Sequence, residues 1–212
     1  MIFDACYVLN LINDNGSKRA EQTVGELNSV NLADEVRWWR NLPAAGDYKA
    51  RHQAASMSHF GAVRSAKHLG YKNVLVLEDD VQFQHHQQIS SILADLEGAE
   101  WDLFYLGCNV CGPLEIVTDH LARIRNPRAM HAYAVNACWF DGFLKLREGF
   151  LQQDKELDTI LCTEVAQTVR AYIGIPMTAI QRPSYSSILG RWVNYNHLNA
   201  KYDGWMRRAK NE

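Results

Sequence analysis

The sequence predicts an α/β fold built on an open sheet. Asn73-Val74-Leu75-Val76-Leu77 is an uninterrupted apolar run bounded by polar residues, which reads as a strand covered on both faces. Trp101-Asp102-Leu103-Phe104-Tyr105-Leu106-Gly107 reads as a second strand of the same kind. Segments of helical period precede and separate them, Ala54 to Leu69 with Gly70 as the C-cap, and Ile89, Ile92, Leu93 and Leu96 with Gly98 at the end.

The other elements follow in chain order. Ala5 to Ile12 has the apolar clustering of a first strand, and Asn13-Asp14-Asn15-Gly16-Ser17 is a loop rich in turn formers. A helix is expected from Lys18 through Leu27, then a short strand around Val36 to Trp39 and an irregular connection to Tyr48. Trp38 and Trp39 are expected in the core, His59 in a packed position on the following helix, and His85 and His86 at the surface. Ile116 to Ile124 is expected as a peripheral hairpin arm, Arg125 to Arg128 as a loop, Met130 to Val135 as a strand and Phe140 to Glu148 as a helix. A loop near Gln152 to Leu157 should lead into a helix that starts at Asp158, shows Leu161, Val165, Val169 and Tyr172 on one face and stops at Gly174. Ile175 to Ile180 reads as an edge strand because Pro176 cannot donate to a central ladder. Residues 1–180 then form one catalytic domain, and 181–212 an aromatic, polar tail of little periodicity suited to close over a ligand.

Composition narrows the class. A chain of 212 residues with 47% apolar and 22% charged residues is an ordinary globular protein. Its net charge of -2 supplies no overall basic field for nucleic acid or an anionic membrane, although Arg207, Arg208 and Lys210 form a local cluster. No apolar run approaches the ~20 residues of a membrane span, no signal peptide opens the chain, and a cytoplasmic location is expected. Five cysteines make no secreted disulfide pattern, and Cys108 and Cys111 are expected as small buried thiols.

The chemistry gathers where the central strand ends, in Glu78-Asp79-Asp80. Ligands of open α/β sheets bind at the carboxyl ends of the strands, so carboxylates there are placed to hold a divalent cation against a polyphosphate. A surface turn bonded to its own backbone is the other reading of such a triplet. Arg19, after the first loop, offers a planar fork to phosphate or base. Asp158 stands where a helix N-cap belongs, and capping and proton abstraction both suit it.

Tyr7-Val8-Leu9-Asn10-Leu11, Ser58-His59, Val74-Leu75-Val76-Leu77-Glu78-Asp79-Asp80-Val81, Trp101 to Gly107, His131-Ala132-Tyr133 and Gln181 to Ile188 occur in an order that resembles family 25 glycosyltransferases, which include lipooligosaccharide and collagen galactosyltransferases. The resemblance spans nearly the whole chain. It implies a GT-A-type fold, a mixed, mainly parallel sheet with helices on both faces. It also implies transfer of a sugar from a nucleotide-diphosphate donor, a UDP-hexose such as UDP-galactose or UDP-glucose, to a hydroxyl of a surface glycan, with hydroxymethylated DNA bases as an alternative acceptor. By it, Asp80 binds Mn²⁺ or Mg²⁺, Glu78 contacts the ribose or a metal-bound water, Asp79 adjoins the donor, and Leu9, Asn10 and Arg19 border the nucleotide. The family carries an acid where this chain has Ser187, which makes His197 the substitute third metal ligand. The glycine expected before Ser58-His59 is also missing. Asp158 is the first candidate for a base that takes the acceptor proton, and Glu164 the second. A nucleotide-sugar or glycan-binding module without turnover, and a metal-dependent nucleotidyl or phosphoryl transferase, are the competing readings.

Overall fold

The computed structural model describes residues 3–152 and 155–210, so Gln153 and Asp154 of the expected loop lie outside the described residues. In chain order the elements are β1 (Ala5–Leu11), α1 (Asp14–Ser29), β2 (Val36–Asn41), α2 (Tyr48–His68), β3 (Asn73–Glu78), β4 (Val81–Phe83), α3 (His86–Glu97) and β5 (Leu103–Val110). There follow β6 (Leu114–Ile116), β7 (Leu121–Ile124), β8 (Pro127–Asn136), α4 (Phe140–Gln152), α5 (Leu157–Ile160), β9 (Ala171–Gly174), β10 (Ala179–Gln181), β11 (Ser184–Ser186), β12 (Arg191–Val193) and α6 (Asn196–Ala209).

The central sheet has eight strands in the order β2-β1-β3-β8-β5-β9-β7-β6. Six run one way; β8 and β7 run the other, each antiparallel to both of its neighbours. The expected mixed, mainly parallel α/β sheet is therefore the one observed. The two-residue period of the strands divides the core in two. Tyr7 of β1 and Val74 and Val76 of β3 face one side, where they meet Phe60 and Val63 of α2, Phe143 of α4, and Tyr202 and Met206 of α6. Val8, Leu75 and Leu77 face the other side, against Ile92, Leu93 and Leu96 of α3. No described helix is long and apolar enough to cross a membrane.

Several boundaries depart from expectation, each for a physical reason. The α1 helix begins before Lys18, because the Asn13 side chain caps it by accepting the Gly16 N–H at 2.7 Å. The α2 helix begins at Tyr48 rather than Ala54, capped by Asp47, whose carboxylate accepts the Ala50 N–H at 2.9 Å. The helix expected from Asp158 to Gly174 is only α5 and a single π-helical turn, Leu161–Val165, after which Tyr172 and Gly174 lie in β9. Arg170 explains the break: its guanidinium forks onto Asp102 at the start of β5 at 2.7 and 3.1 Å, pinning that point of the chain beside β5. Glu156, not Asp158, occupies the N-cap position of α5, and its side chain makes no capping bond.

Arg128 belongs to β8 rather than to a loop, and Cys111 is exposed where a buried thiol was expected. Pro176 sits in an irregular link, and β10 beyond it pairs antiparallel with β4, outside the central sheet. The tail is ordered into the β11–β12 hairpin and α6, where the Tyr202 hydroxyl accepts the Met177 N–H at 2.9 Å. Its low periodicity hid both elements.

The start of β10 crosses tightly over β5 at Gly107. A Cβ added there would lie 2.0 Å from the Ala179 carbonyl oxygen and 2.6 Å from Nε2 of His131. Neither backbone nor a buried ring yields easily, so Gly107→Ala is expected to lower stability by about 1–3 kcal/mol, read as a reduced midpoint in urea denaturation.

Candidate functional site

β1, β3 and β5 run parallel, so their carboxyl ends meet along one edge of the sheet. A cavity of about 620 Å³ opens there, within the range of small-ligand sites. Its wall includes Leu9 and Asn10 of β1, Arg19 of α1, Glu78-Asp79-Asp80 after β3, the start of α2, Arg128 of β8, Asp158 of α5 and the β11–β12 hairpin.

The three adjacent carboxylates face different surroundings. Asp79 is held from two sides: the Asn10 side-chain amide donates to it at 2.6 Å and Arg19 Nε lies 3.1 Å away. The Arg19 Nε–H has no aligned acceptor among the described residues, so that contact is an ion pair rather than a hydrogen bond. Thr23 Oγ donates to the Asp79 carbonyl at 2.9 Å, and Asn10 also donates to the Gly16 carbonyl at 2.8 Å. Asp79 thus ties the end of β3 to the end of β1 and to α1. Burial pushes its carboxyl up to about 6, against the pull of Arg19 and Asn10.

Glu78 continues the Val74, Val76 face toward α2. Its side chain is 33% exposed to the cavity, with His59 Nε2 at 3.6 Å and the Gln181 amide donating at 3.4 Å. The other ring nitrogen of His59 pairs with the Tyr133 hydroxyl at 3.1 Å, which fixes the imidazole. Burial works against ionisation of Glu78, but His59, with smaller help from His131 and Arg19, outweighs it and holds the carboxyl below its ordinary value.

Asp80 is the least compensated of the three. Its backbone carbonyl accepts the Arg182 N–H at 2.7 Å, and Ser184 Oγ reaches Oδ2 at a long 3.5 Å. Oδ1 is buried and finds no hydrogen-bond partner among the described residues. Burial first, then the charges of Glu78 and Asp79, push its carboxyl up to about 7. A buried carboxylate oxygen with nothing to bind costs stability unless a cation or proton meets it. The oxygen-rich surroundings suit a hard divalent cation such as Mn²⁺ or Mg²⁺.

A second polar cluster lies elsewhere on the wall. One nitrogen of His52 and one oxygen each of Glu156 and Asp158 lie within 4.8 Å of one another. Arg128 reaches Glu156 at 3.8 Å and Asp158 at 3.9 Å, and the Tyr48 hydroxyl donates to Glu156. The Ala129 N–H donates to Asp158 Oδ2 at 3.2 Å. With a guanidinium already serving both carboxylates, this cluster suits hydrogen bonding and proton exchange better than a second cation.

The expected site residues divide accordingly. Leu9, Asn10, Arg19, Glu78, Asp79, Asp80 and Asp158 all line the cavity, as does Ser187. Glu164 lies outside its lining, paired with Lys155 at 2.5 Å, and His197 is exposed on the first turn of α6, also outside the lining. Sequence reasoning missed Tyr48, His52, Arg128 and Glu156. For the first two a signal existed: Asp47 as an N-cap starts α2 early, and Tyr48, His52 and His59 then share one face by helical spacing.

No protein-family model matches the chain, and no curated protein matches it. Solved structures similar in layout include a glycosyltransferase involved in the glycosylation of the major capsid of PBCV-1, at 12% identity and TM-score 0.49, covering 94% of this chain and 99% of that one. Another is 4-diphosphocytidyl-2C-methyl-D-erythritol synthase from Anaerococcus prevotii, at 11% identity and TM-score 0.47, covering 95% and 96%. A third is mannose-1-phosphate geranyltransferase from Thermus thermophilus, at 14% identity and TM-score 0.47, covering 82% and 74%. Similarity at this level carries no functional weight, and the reading of the site rests on its own residues.

Asp80 ionises at about 7 in the folded chain against 3.8 when free, so the folded state holds its proton longer than the unfolded state does. Stability of the metal-free protein should therefore fall as pH rises from about 4 to about 7, with Asp79 adding in the same sense. Thermal melts across that range should show the decline, and Asp80→Asn should flatten it.

Proposed function

We propose that the protein is a metal-dependent glycosyltransferase that moves a hexose from a nucleoside-diphosphate donor, UDP-hexose in the first instance, to an acceptor hydroxyl. The observation that carries this reading is the buried, unpartnered carboxylate oxygen of Asp80, a residue that lines the cavity at the carboxyl edge of the sheet with Glu78 beside it. Asp80 and Glu78 would hold Mn²⁺ or Mg²⁺. When bound, that ion neutralises charge on the departing diphosphate. The family 25 motif order supports the same reading.

The chain's own residues supply the rest. Asn10 and Arg19 fix Asp79 and so hold the turn that aims Asp80 into the cavity. His59 keeps Glu78 ionised and oriented. Leu9 and Asn10 would border the nucleotide. Asp158 would take the proton of the acceptor hydroxyl as its oxygen bonds to the anomeric carbon. The sugar–phosphate bond breaks in the same displacement, its electron pair leaving on the nucleoside diphosphate. The tail, 181–212, would act as the closing element, since its hairpin forms part of the cavity wall. Ser187 lines the cavity without a carboxylate to offer, and this favours a binding module without turnover as the second reading.

Purified protein with Mn²⁺ and a panel of nucleotide sugars should release nucleoside diphosphate from one donor. Asp80→Ala should abolish the release. Asp158→Asn should lower acceptor-dependent kcat by about 10²-fold or more while donor affinity stays within about twofold. Donor binding with no release in any condition would select the module; the absence of donor binding would end the transferase reading.

A further inference from the structure

Large apolar side chains exposed among the described residues include three aromatic ones, Tyr48, Tyr185 and Trp192, at 42%, 41% and 68% exposure. Two of the three line the cavity, and the third pairs with one of those two. Tyr48 and Tyr185 line the cavity, and Trp192 lies directly opposite Tyr185 across the β11–β12 hairpin, so the two rings share a face. Exposed aromatics scattered singly need no explanation; a cluster at the mouth of a polar cavity does.

Their placement follows from the chain. Tyr48 is fixed by its hydroxyl on Glu156 and by its ring against that of His52, with centroids 5.5 Å apart. The hairpin turn brings Tyr185 near α2: a Cβ at Gly190 would be 3.5 Å from Arg51 Nη1 and 3.9 Å from the Tyr185 hydroxyl. Tyr48 thus adjoins the His52–Glu156–Asp158 cluster, and Tyr185 shares the cavity wall with it.

The geometry points to an acceptor subsite for a neutral pyranoside, with Tyr185 and Trp192 as a stacking platform and the Arg128–Glu156–Asp158 cluster as the hydroxyl-binding floor. A pyranose presents a flat face of C–H groups rimmed by hydroxyls, which matches rings beside a hydrogen-bonding cluster. Charge selects neutrality: Arg51 and Arg128 are offset by Glu156 and Asp158, and the whole chain carries -2, so a phosphodiester strand finds no surplus of cations. This inference rests on the transferase reading only in calling the pyranoside an acceptor; the binding itself does not require it.

The test is saturation-transfer-difference NMR on the full chain with methyl glycosides of glucose, galactose, mannose and N-acetylglucosamine at millimolar concentration. A dT15 oligonucleotide serves as the competing ligand, and UDP with Mn²⁺ as an independent probe of the donor end. One or more glycosides should bind, with transfer strongest to ring C–H protons, and Trp192→Ala and Tyr185→Ala should each weaken binding about tenfold while UDP affinity and melting temperature stay unchanged. In turnover assays the same variants should raise acceptor KM rather than lower kcat. Glycoside binding that survives both substitutions, or failure of every glycoside to bind while UDP does, overturns the subsite and leaves the donor reading intact. Binding of dT15 alone, lost in Trp192→Ala, overturns it in favour of nucleic acid. Glycoside binding lost in Trp192→Ala without any UDP binding upholds the subsite and removes the transferase reading.

Discussion

The structure depends on holding three consecutive carboxylates at the end of a central strand, Asp79 and Asp80 of them buried and Glu78 partly so. Burying charge is costly unless each group finds a partner. Asp79 finds Asn10 and Arg19, and Glu78 finds His59 and Gln181. Asp80 is left with one long contact from Ser184 and an open oxygen. The two satisfied carboxylates act as anchors that draw in α1, α2 and the chain beyond β10. The unsatisfied one is the group to which the proposed function assigns the metal. A buried, uncompensated oxygen is costly, and departures of this kind concentrate at sites that bind.

The sheet topology gives that edge its reach. Because β8 lies antiparallel between β3 and β5, both of those strands deliver their carboxyl ends to the same side, and the start of β8 brings Arg128 there as well. The early start of α2 carries Tyr48 and His52 to the cluster that Arg128 joins through Glu156 and Asp158. The cavity accordingly has two chemically distinct sets of groups, an acidic set at the end of β3 and a charge-balanced set around Asp158. A group-transfer enzyme needs such a division, one region to take charge from a leaving group and another to handle the proton of a nucleophile.

Much of the frame was legible because burial writes itself into local pattern. Val74 to Leu77 and Leu103 to Leu106 are apolar on both faces because helices cover both faces, and no tertiary knowledge is needed to see it. The acidic strand end was legible for the same reason, since charge follows directly on a buried strand. Elements held by distant partners were not. The spacing of Tyr172 from Val165 and Val169 fits a helix, yet the Arg170–Asp102 fork, between residues far apart in sequence, makes it part of a strand. The β4–β10 pair and the β11–β12 hairpin are three residues per strand, too short to show a period.

By itself, then, the sequence determined the α/β class, the strand that carries Glu78, Asp79 and Asp80, and the grouping of those carboxylates at a ligand edge, because strand burial and strand ends depend on nearest neighbours along the chain. Only the tertiary structure decided that Asp79 is braced while Asp80 keeps an unpartnered oxygen, that Asp158 stands with His52 and Glu156 while Glu164 and His197 stand away from the cavity, and that the aromatic tail folds into its wall. Those outcomes are set by which groups meet across the fold, and no local period in the sequence encodes such meetings.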